Sequence, residues 1–409
     1  MIKKFLVLSL IFLAQITFAQ ENSASPYSYY GLGDNKFQGT VENKSMAGLG
    51  ILPDSININL QNPASLASIR LTSFAIGGTY NSLSLQNSSS TEKARRTTLD
   101  YLAMVFPTGK LSFSLGLMPN SAVGYSIDKI LPNESFRYSG KGGTNRVFLG
   151  SGYKLTSKFS VGAEFSYIFG TNQRNSTTIP AIQFGTRELR TNAISGVSFN
   201  TGLMFKSKFK KLDIVSSLMV TPATKLNSKN DRSLAKITFD ATGNEQVFDL
   251  VEILGGKSVI KLPTKFAFGA GIGDLSKWFI GAEATMQGAA NYGNLYASNV
   301  SFEKTTKIAV GGYFTPNYNS YSNYFKKITY RGGLRYENTG LVLNSQAIKD
   351  QAFTLGLGLP LGGSVNKLNL GLELGKRGTT NANLISENYL NISIGVSFSD
   401  RWFVKRKFD

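Results

Sequence analysis

Leu390-Asn391-Ile392-Ser393-Ile394-Gly395-Val396-Ser397-Phe398 alternates apolar with small polar residues without a break. Successive side chains of a β-strand point to opposite faces, so this stretch is a strand with one greasy face and one polar, tight face. The pattern repeats upstream. Leu368, Leu370, Leu372 and Leu374 alternate with Asn369, Gly371, Glu373 and Gly375, and Phe353, Leu355, Leu357 and Leu359 alternate with Thr354, Gly356 and Gly358. In a soluble sandwich the greasy face meets a protein core, and in a membrane barrel it meets lipid.

The connections favour the barrel. Short turns occur at Thr108-Gly109, Thr156-Ser157, Ser207-Lys208, Asp274 to Ser276 and Leu361 to Val365, whereas 119–144, 170–192 and 222–262 read as long loops. Short periplasmic turns alternating with long external loops are characteristic of outer-membrane barrels. We expect an all-β chain with about fourteen antiparallel strands, at 71–80, 97–107, 110–118, 145–155, 158–169, 193–206, 209–221, 263–273, 277–288, 304–314, 327–338, 351–360, 366–376 and 389–398. An even count puts both termini on the short-turn side, the periplasm.

Ahead of the strands, Pro26 to Ile69 has neither a clean period of two nor a helical stripe. It is rich in Gly, Asn and Ser, with Pro26, Pro53 and Pro63 removing backbone donors. A plug inside the barrel and a disordered tail both fit; the plug is preferred because Leu49, Ile51, Ile56, Ile58 and Leu60 are costly to leave in water. Lys3 and Lys4, the apolar run Phe5 to Ala14 and Thr17-Phe18-Ala19 form a secretory signal. The expected organisation is a signal peptide at 1–19, a plug at 20–70, a transmembrane barrel at 71–400 and a periplasmic tail at 401–409.

Composition removes several function classes. The chain has 409 residues with no Cys and no His, so disulfides, thiolate or imidazole metal sites and Ser–His–Asp or Cys–His catalysis are excluded. No metal or cofactor is expected. The net charge of +19, or +17 once the two signal lysines are removed, is scattered over turns. It suits outer-membrane lipid headgroups and lipopolysaccharide phosphates better than nucleic acid.

A hairpin motif recurs. Lys158 to Glu164, Lys277 to Glu283 and Lys367 to Glu373 each place Lys first, Gly four residues later and Glu two beyond that. Each Lys is expected at the interface. Glu164, Glu283 and Glu373 should point into the lumen, as should Arg331 and Arg335, which lie opposite Tyr330, Leu334 and Tyr336. Three readings fit these charges: an ion-pair network holding the plug, a cationic anchor for an anionic ligand, or paired carboxylates for glycosidase-like chemistry. The last lacks any activated nucleophile beside it, and the chain is not expected to be an enzyme. Pro119 and Gly124 either begin an external loop or interrupt the wall so that a hydrophobic molecule can leave sideways. Ala235 to Asp240 and Val247 to Val251 read as an external hairpin, either a lid or a partner-binding surface.

Asn62-Pro63-Ala64, the opening Ser25-Pro26-Tyr27-Ser28-Tyr29-Tyr30-Gly31-Leu32-Gly33 and the ending Arg401-Trp402-Phe403-Val404-Lys405-Arg406-Lys407 resemble Bacteroidota members of the FadL-type hydrophobic-compound transporter superfamily. The resemblance implies fourteen strands, an N-terminal hatch, and passive uptake of long-chain fatty acids or other hydrophobic small molecules with plug movement and lateral release near strand 3. The same superfamily implies an alternative, a non-transporting accessory barrel of an outer-membrane secretion or assembly complex.

Overall fold

The computed structural model describes residues 23–180, 184–240, 242, 244–253, 255–292, 299–320, 322–361 and 365–401. The expected signal peptide and residues 402–409 of the expected tail lie outside them.

A two-residue strand, β1 (Asp34–Asn35), belongs to the segment that precedes the wall. The wall comprises β2 (Thr72–Gln86), β3 (Thr91–Thr108), β4 (Leu111–Ile130), β5 (Glu134–Lys154), β6 (Phe159–Pro180), β7 (Gly185–Phe209), β8 (Leu212–Thr221), β9 (Thr224–Phe239), β10 (Glu245–Ile253), β11 (Lys257–Leu262), β12 (Lys265–Asp274), β13 (Trp278–Gln287), β14 (Val300–Phe302), β15 (Thr305–Phe314), β16 (Thr329–Leu343), β17 (Gln346–Pro360), β18 (Lys367–Gly378) and β19 (Ser386–Asp400). Several segments are one wall strand with a break. β8 and β9 both pair with β7 and are separated at Pro222, which has no N–H to donate. β10 and β11 pair with β9 and β12 with β8, with breaks before Lys257 and at Pro263. β14 and β15 share β16. Counted this way, fourteen antiparallel strands form the wall, and β19 closes on β2 from Ser386↔Gln86 to Asp400↔Thr72. This is a transmembrane barrel of the outer-membrane kind.

The greasy face points outward. On β6, Phe159, Phe165, Tyr167 and Phe169 are exposed while Glu164, Ser166 and Ile168 are buried. At 3.3 Å per residue and a tilt near 45°, Phe159 to Phe169 covers roughly 25 Å, the height of a barrel's apolar band.

The expected long loops are largely wall. Residues 119–130 and 134–144 continue β4 and β5, 170–180 and 185–192 continue β6 and β7, and 224–239 with 245–253 form the β9–β10 hairpin. These extensions rise past the lipid band with water on the outside, so Thr, Ser, Asn and Gln replace the apolar alternation that marks a strand in sequence. The hairpin matches the expected segments, with Val247 opposite Ile237 and Leu250 opposite Ala235. Asp240 closes its turn by accepting from the Thr242 hydroxyl and from the Asn244 and Thr242 amides, which hold its carboxyl down to about 2.

Residues 23–69 pack against the inward faces of the wall. Ser25 caps a 3-10 turn at Pro26–Tyr29, a single helical turn spans Val41–Lys44, and Asn62 caps a 3-10 turn at Pro63–Ser68. Toward the short-turn end, Val41, Ile58, Leu60 and Leu66 pack on Ala103, Val105, Met118 and Phe148, and Met46, Leu49 and Ile51 pack on Met204, Val215, Phe279 and Ala309. Leu49 and Ile51 are fully buried; each such burial contributes about 1.5–3 kcal/mol. Toward the other end, Tyr27 joins Leu341, Leu343 and Ile348, while Leu32 joins Ile168, Ile194 and Leu226.

Candidate functional site

Asn62-Pro63-Ala64 fits a trough of glycines. Asn62 Oδ1 accepts from the Ala64 amide at 3.0 Å and its Nδ2 donates to the Leu203 carbonyl at 3.4 Å. Gly152, Gly162 and Gly202 stand side by side on β5, β6 and β7. A Cβ on Gly162 would lie 2.2 Å from the Pro63 carbonyl carbon, and one on Gly202 would lie 2.0 Å from Asn62 Oδ1. The motif is thus a docking turn, and the glycines give its backbone room.

The inward charges separate into distinct groups. Glu164 pairs with Arg146 at 3.2 Å and accepts from Asn200 at 2.8 Å, all within the wall. Glu283 instead accepts from the Gly50 amide at 2.9 Å. Glu373 bridges wall and inner segment, with Arg335 at 3.0 Å and Lys44 at 3.9 Å. Arg335 also meets Tyr389 at 2.9 Å and Asp350 at 3.5 Å. Arg331 donates to Asn369 at 3.0 Å, and Asn369 donates to Glu42 at 2.7 Å, so Arg331 reaches the inner segment through an amide. Of the three motif lysines, Lys158 and Lys277 are exposed before their strands. Lys367 departs from the expected interface position: as the first residue of β18 it shares the parity of Glu373, is buried, and sets its ammonium 5.7 Å from the Tyr318 ring centre.

The strongest junction was not apparent from the sequence. Arg377 donates to Asp34 at 2.6 Å, to Glu387 at 2.7 Å and to Ser25 at 2.7 Å, with its guanidinium 5.6 Å from the Tyr27 ring centre. Arg377 continues the inward parity of Glu373 one residue past the expected strand end, and Glu387 precedes the expected start of the last strand. Extending the alternation in both directions would have found them.

Pro119 and Gly124 lie within β4, at and just beyond a bulge between Pro119 and Ser121, so they do not begin a loop. The ladder between β3 and β4 stops at Leu102↔Leu117. Beyond it β1 takes the place of β3, with Asp34 opposite Ala122 and Asn35 opposite Ser121. The Lys36 amide donates to the Asn120 carbonyl at 3.1 Å, Gln38 donates to the Pro119 carbonyl at 3.2 Å, and the Gly124 amide donates to Ser28 at 3.1 Å. From the β3 side, Arg96 donates to the Ser23 carbonyl at 3.3 Å. A Cβ on Gly124 would stand 2.0 Å from that carbonyl oxygen. Residues 23–38 therefore fill the seam.

Between the two packed halves of the inner segment lies a cavity of about 440 Å³. Its lining includes Lys36, Arg146, Lys265, Lys307, Arg335 and Arg377, facing carboxylates such as Asp34, Glu283, Glu337 and Asp350. Apolar side chains, among them Leu32, Phe37, Ile168, Met219 and Tyr292, share the lining with these charges. Among the described residues no group of three or more Asp or Glu could hold a metal ion.

The fold matches solved structures of hydrocarbon channels. The Pseudomonas putida toluene transporter TodX superposes with a TM-score of 0.61 at 15% identity, covering 91% of this chain and all of that one. The Ralstonia pickettii toluene transporter TbuX gives 0.59 at 14% identity over 89% of this chain and 99% of that one. A Pseudomonas aeruginosa FadL homologue gives 0.55 at 12% identity over 88% and 97%. No curated protein matches the sequence. Architecture and neighbours define the fold, a fourteen-stranded antiparallel barrel shared with these channels. Within it, the BamG family model matches residues 1–409, and the chain belongs to the BamG family.

Proposed function

We propose that this chain is a non-transporting accessory barrel of an outer-membrane secretion or assembly complex, with both termini in the periplasm and the β9–β10 end outside. The observation that carries this reading is the filled seam in the wall. The β3–β4 seam is filled by residues 23–38, and paired charges stand among apolar side chains in the cavity behind it. Two features add support. The outer end carries exposed apolar residues, among them Phe184, Val247, Phe248, Leu250 and Val251, in the manner of a protein-binding patch. The BamG model also describes the whole chain, whereas the likeness to toluene transporters is one of fold. In this reading Glu373, Arg335, Arg331 and Glu283 hold the inner segment in place. The test is mild crosslinking and co-purification from native outer membranes, comparing the intact protein with one whose 240–253 segment is replaced by a short turn. A defined partner stoichiometry lost on replacement supports the reading, and a solitary barrel in both preparations contradicts it.

A second reading is favoured by one observation, the interrupted β3–β4 ladder. A hydrophobic small molecule, such as a long-chain fatty acid, would enter at the outer end, displace residues 23–38 and leave between Pro119 and Gly124 into the lipid. Uptake of labelled fatty acid by proteoliposomes separates the two readings.

A further inference from the structure

Among the described residues, the β9–β10 hairpin ends the tall side of the wall with an open strand edge. β10 has β9 as its registered partner along one edge, from Glu245↔Phe239 to Ile253↔Arg232. Among the described residues nothing pairs with its other edge. All of β10 after Glu245 is exposed, and Val247, Phe248, Leu250 and Val251 are large apolar side chains. An apolar edge of nine residues left unpaired by the described residues is a template for strand addition, which proteins ordinarily blunt or cover.

We propose that β10 is a docking edge that receives one extended, cation-bearing strand of a partner protein by β-augmentation. This deepens the accessory reading and rests on it. The charge pattern selects the occupant. In a chain of net charge +19, β10 carries Glu245, Asp249 and Glu252 and no cation. Glu245 is already paired with Arg187. Asp249 and Glu252 have no ion pair among the described residues. A second copy of this chain is disfavoured, because antiparallel pairing over the whole strand sets Asp249 opposite its own counterpart, and like charges directly opposite destabilise. The bulge at Phe248 puts Asp249, Val251 and Ile253 on one face and Val247, Leu250 and Glu252 on the other. A complementary strand therefore carries cations three residues apart, one for each face, among β-branched residues. Main-chain hydrogen bonds supply its affinity and the two carboxylates its selectivity.

The probe is a nine-residue Val/Thr peptide with two lysines three residues apart, added to the full-length barrel in nanodiscs. Hydrogen exchange is read over 245–253. The free edge amides should exchange fast and become protected with the peptide. Asp249→Lys with Glu252→Lys should weaken binding roughly tenfold and reverse the preference toward the matching glutamate peptide, with the barrel's unfolding midpoint as a folding control. Absence of protection up to about 1 mM, the weak limit of specific binding, overturns the inference. So does equal binding of the lysine and glutamate peptides. If either happens while the native complex still co-purifies, strand addition at β10 is wrong and the accessory role stands. If the peptide binds as described but no native complex exists, the accessory role fails and the edge chemistry remains.

Discussion

Replacing Arg377 with Ala should release the outer half of the inner segment while leaving the wall intact. The guanidinium makes charge-assisted bonds to Asp34, Glu387 and Ser25 at 2.6–2.7 Å, and Glu387 is fully buried. Removing the cation leaves the buried Glu387 without its ion-pair partner and Asp34 with only the more distant Lys36, at 3.8 Å. Breaking a buried pair in this way costs about 3–5 kcal/mol, which raises the undocked fraction of residues 23–38 by roughly a hundred- to several-thousand-fold. Arg377→Lys should recover only part of the loss, because an ammonium cannot serve three acceptors in the guanidinium's fork geometry. Arg377→Met combined with Glu387→Gln should recover more, because it also removes one stranded charge. Hydrogen exchange of 23–38 in micelles reads the effect directly, and ion conductance through the opened seam reads it independently. Unchanged protection and a silent bilayer with Arg377→Ala would show that the junction does not hold the segment.

Other perturbations test separate parts of the account. Gly162→Val drives side-chain carbon into the Pro63 carbonyl and should destabilise docking of Asn62-Pro63-Ala64 by about 1–3 kcal/mol, seen as a lower unfolding midpoint; Ser160→Val on the same strand serves as the overpacking control. Phe165→Lys on the lipid face should cost roughly 2–4 kcal/mol in refolding into bilayers, and a negligible cost would mean that lipid does not face that side. The Asp240 carboxyl is depressed to about 2, so its contribution to the β9–β10 turn is present above the usual carboxylate range, near 3.9, and fades as pH falls through the depressed value. Protection of the Thr242 and Asn244 amides should therefore persist at mildly acidic pH and be lost only near the lower value, and loss at pH about 4 would contradict the hydrogen-bonding pattern.

Where lipid imposes a period of two, the wall was readable from the sequence. Leu390 to Phe398, Leu368 to Leu374 and Phe353 to Leu359 alternate because one solvent is hydrocarbon and the other is a packed lumen. Above the band the outward face meets water instead of lipid, the apolar alternation fades, and 119–130, 170–180 and 224–239 look like loops. That truncation also hid Arg377 and Glu387, whose inward direction follows from the parity of Glu373 and Asn391. The filled seam was not readable at all. It depends on Asp34 and Asn35 pairing with Ala122 and Ser121 across nearly ninety residues of chain, and no local pattern encodes that register. Arg331 pointed inward as its neighbours implied, but its link to Glu42 runs through Asn369, which no charge-pairing rule selects.

The most direct test of a closed, non-conducting barrel uses the absence of Cys in the chain. Asn35→Cys with Ser121→Cys places two thiols at registered positions across the seam, so oxidation locks residues 23–38 in place and reduction frees them. Uptake of labelled fatty acid into proteoliposomes should equal that of empty vesicles in both states. Protein-dependent uptake that appears on reduction and stops on oxidation would contradict the account and make the seam an exit.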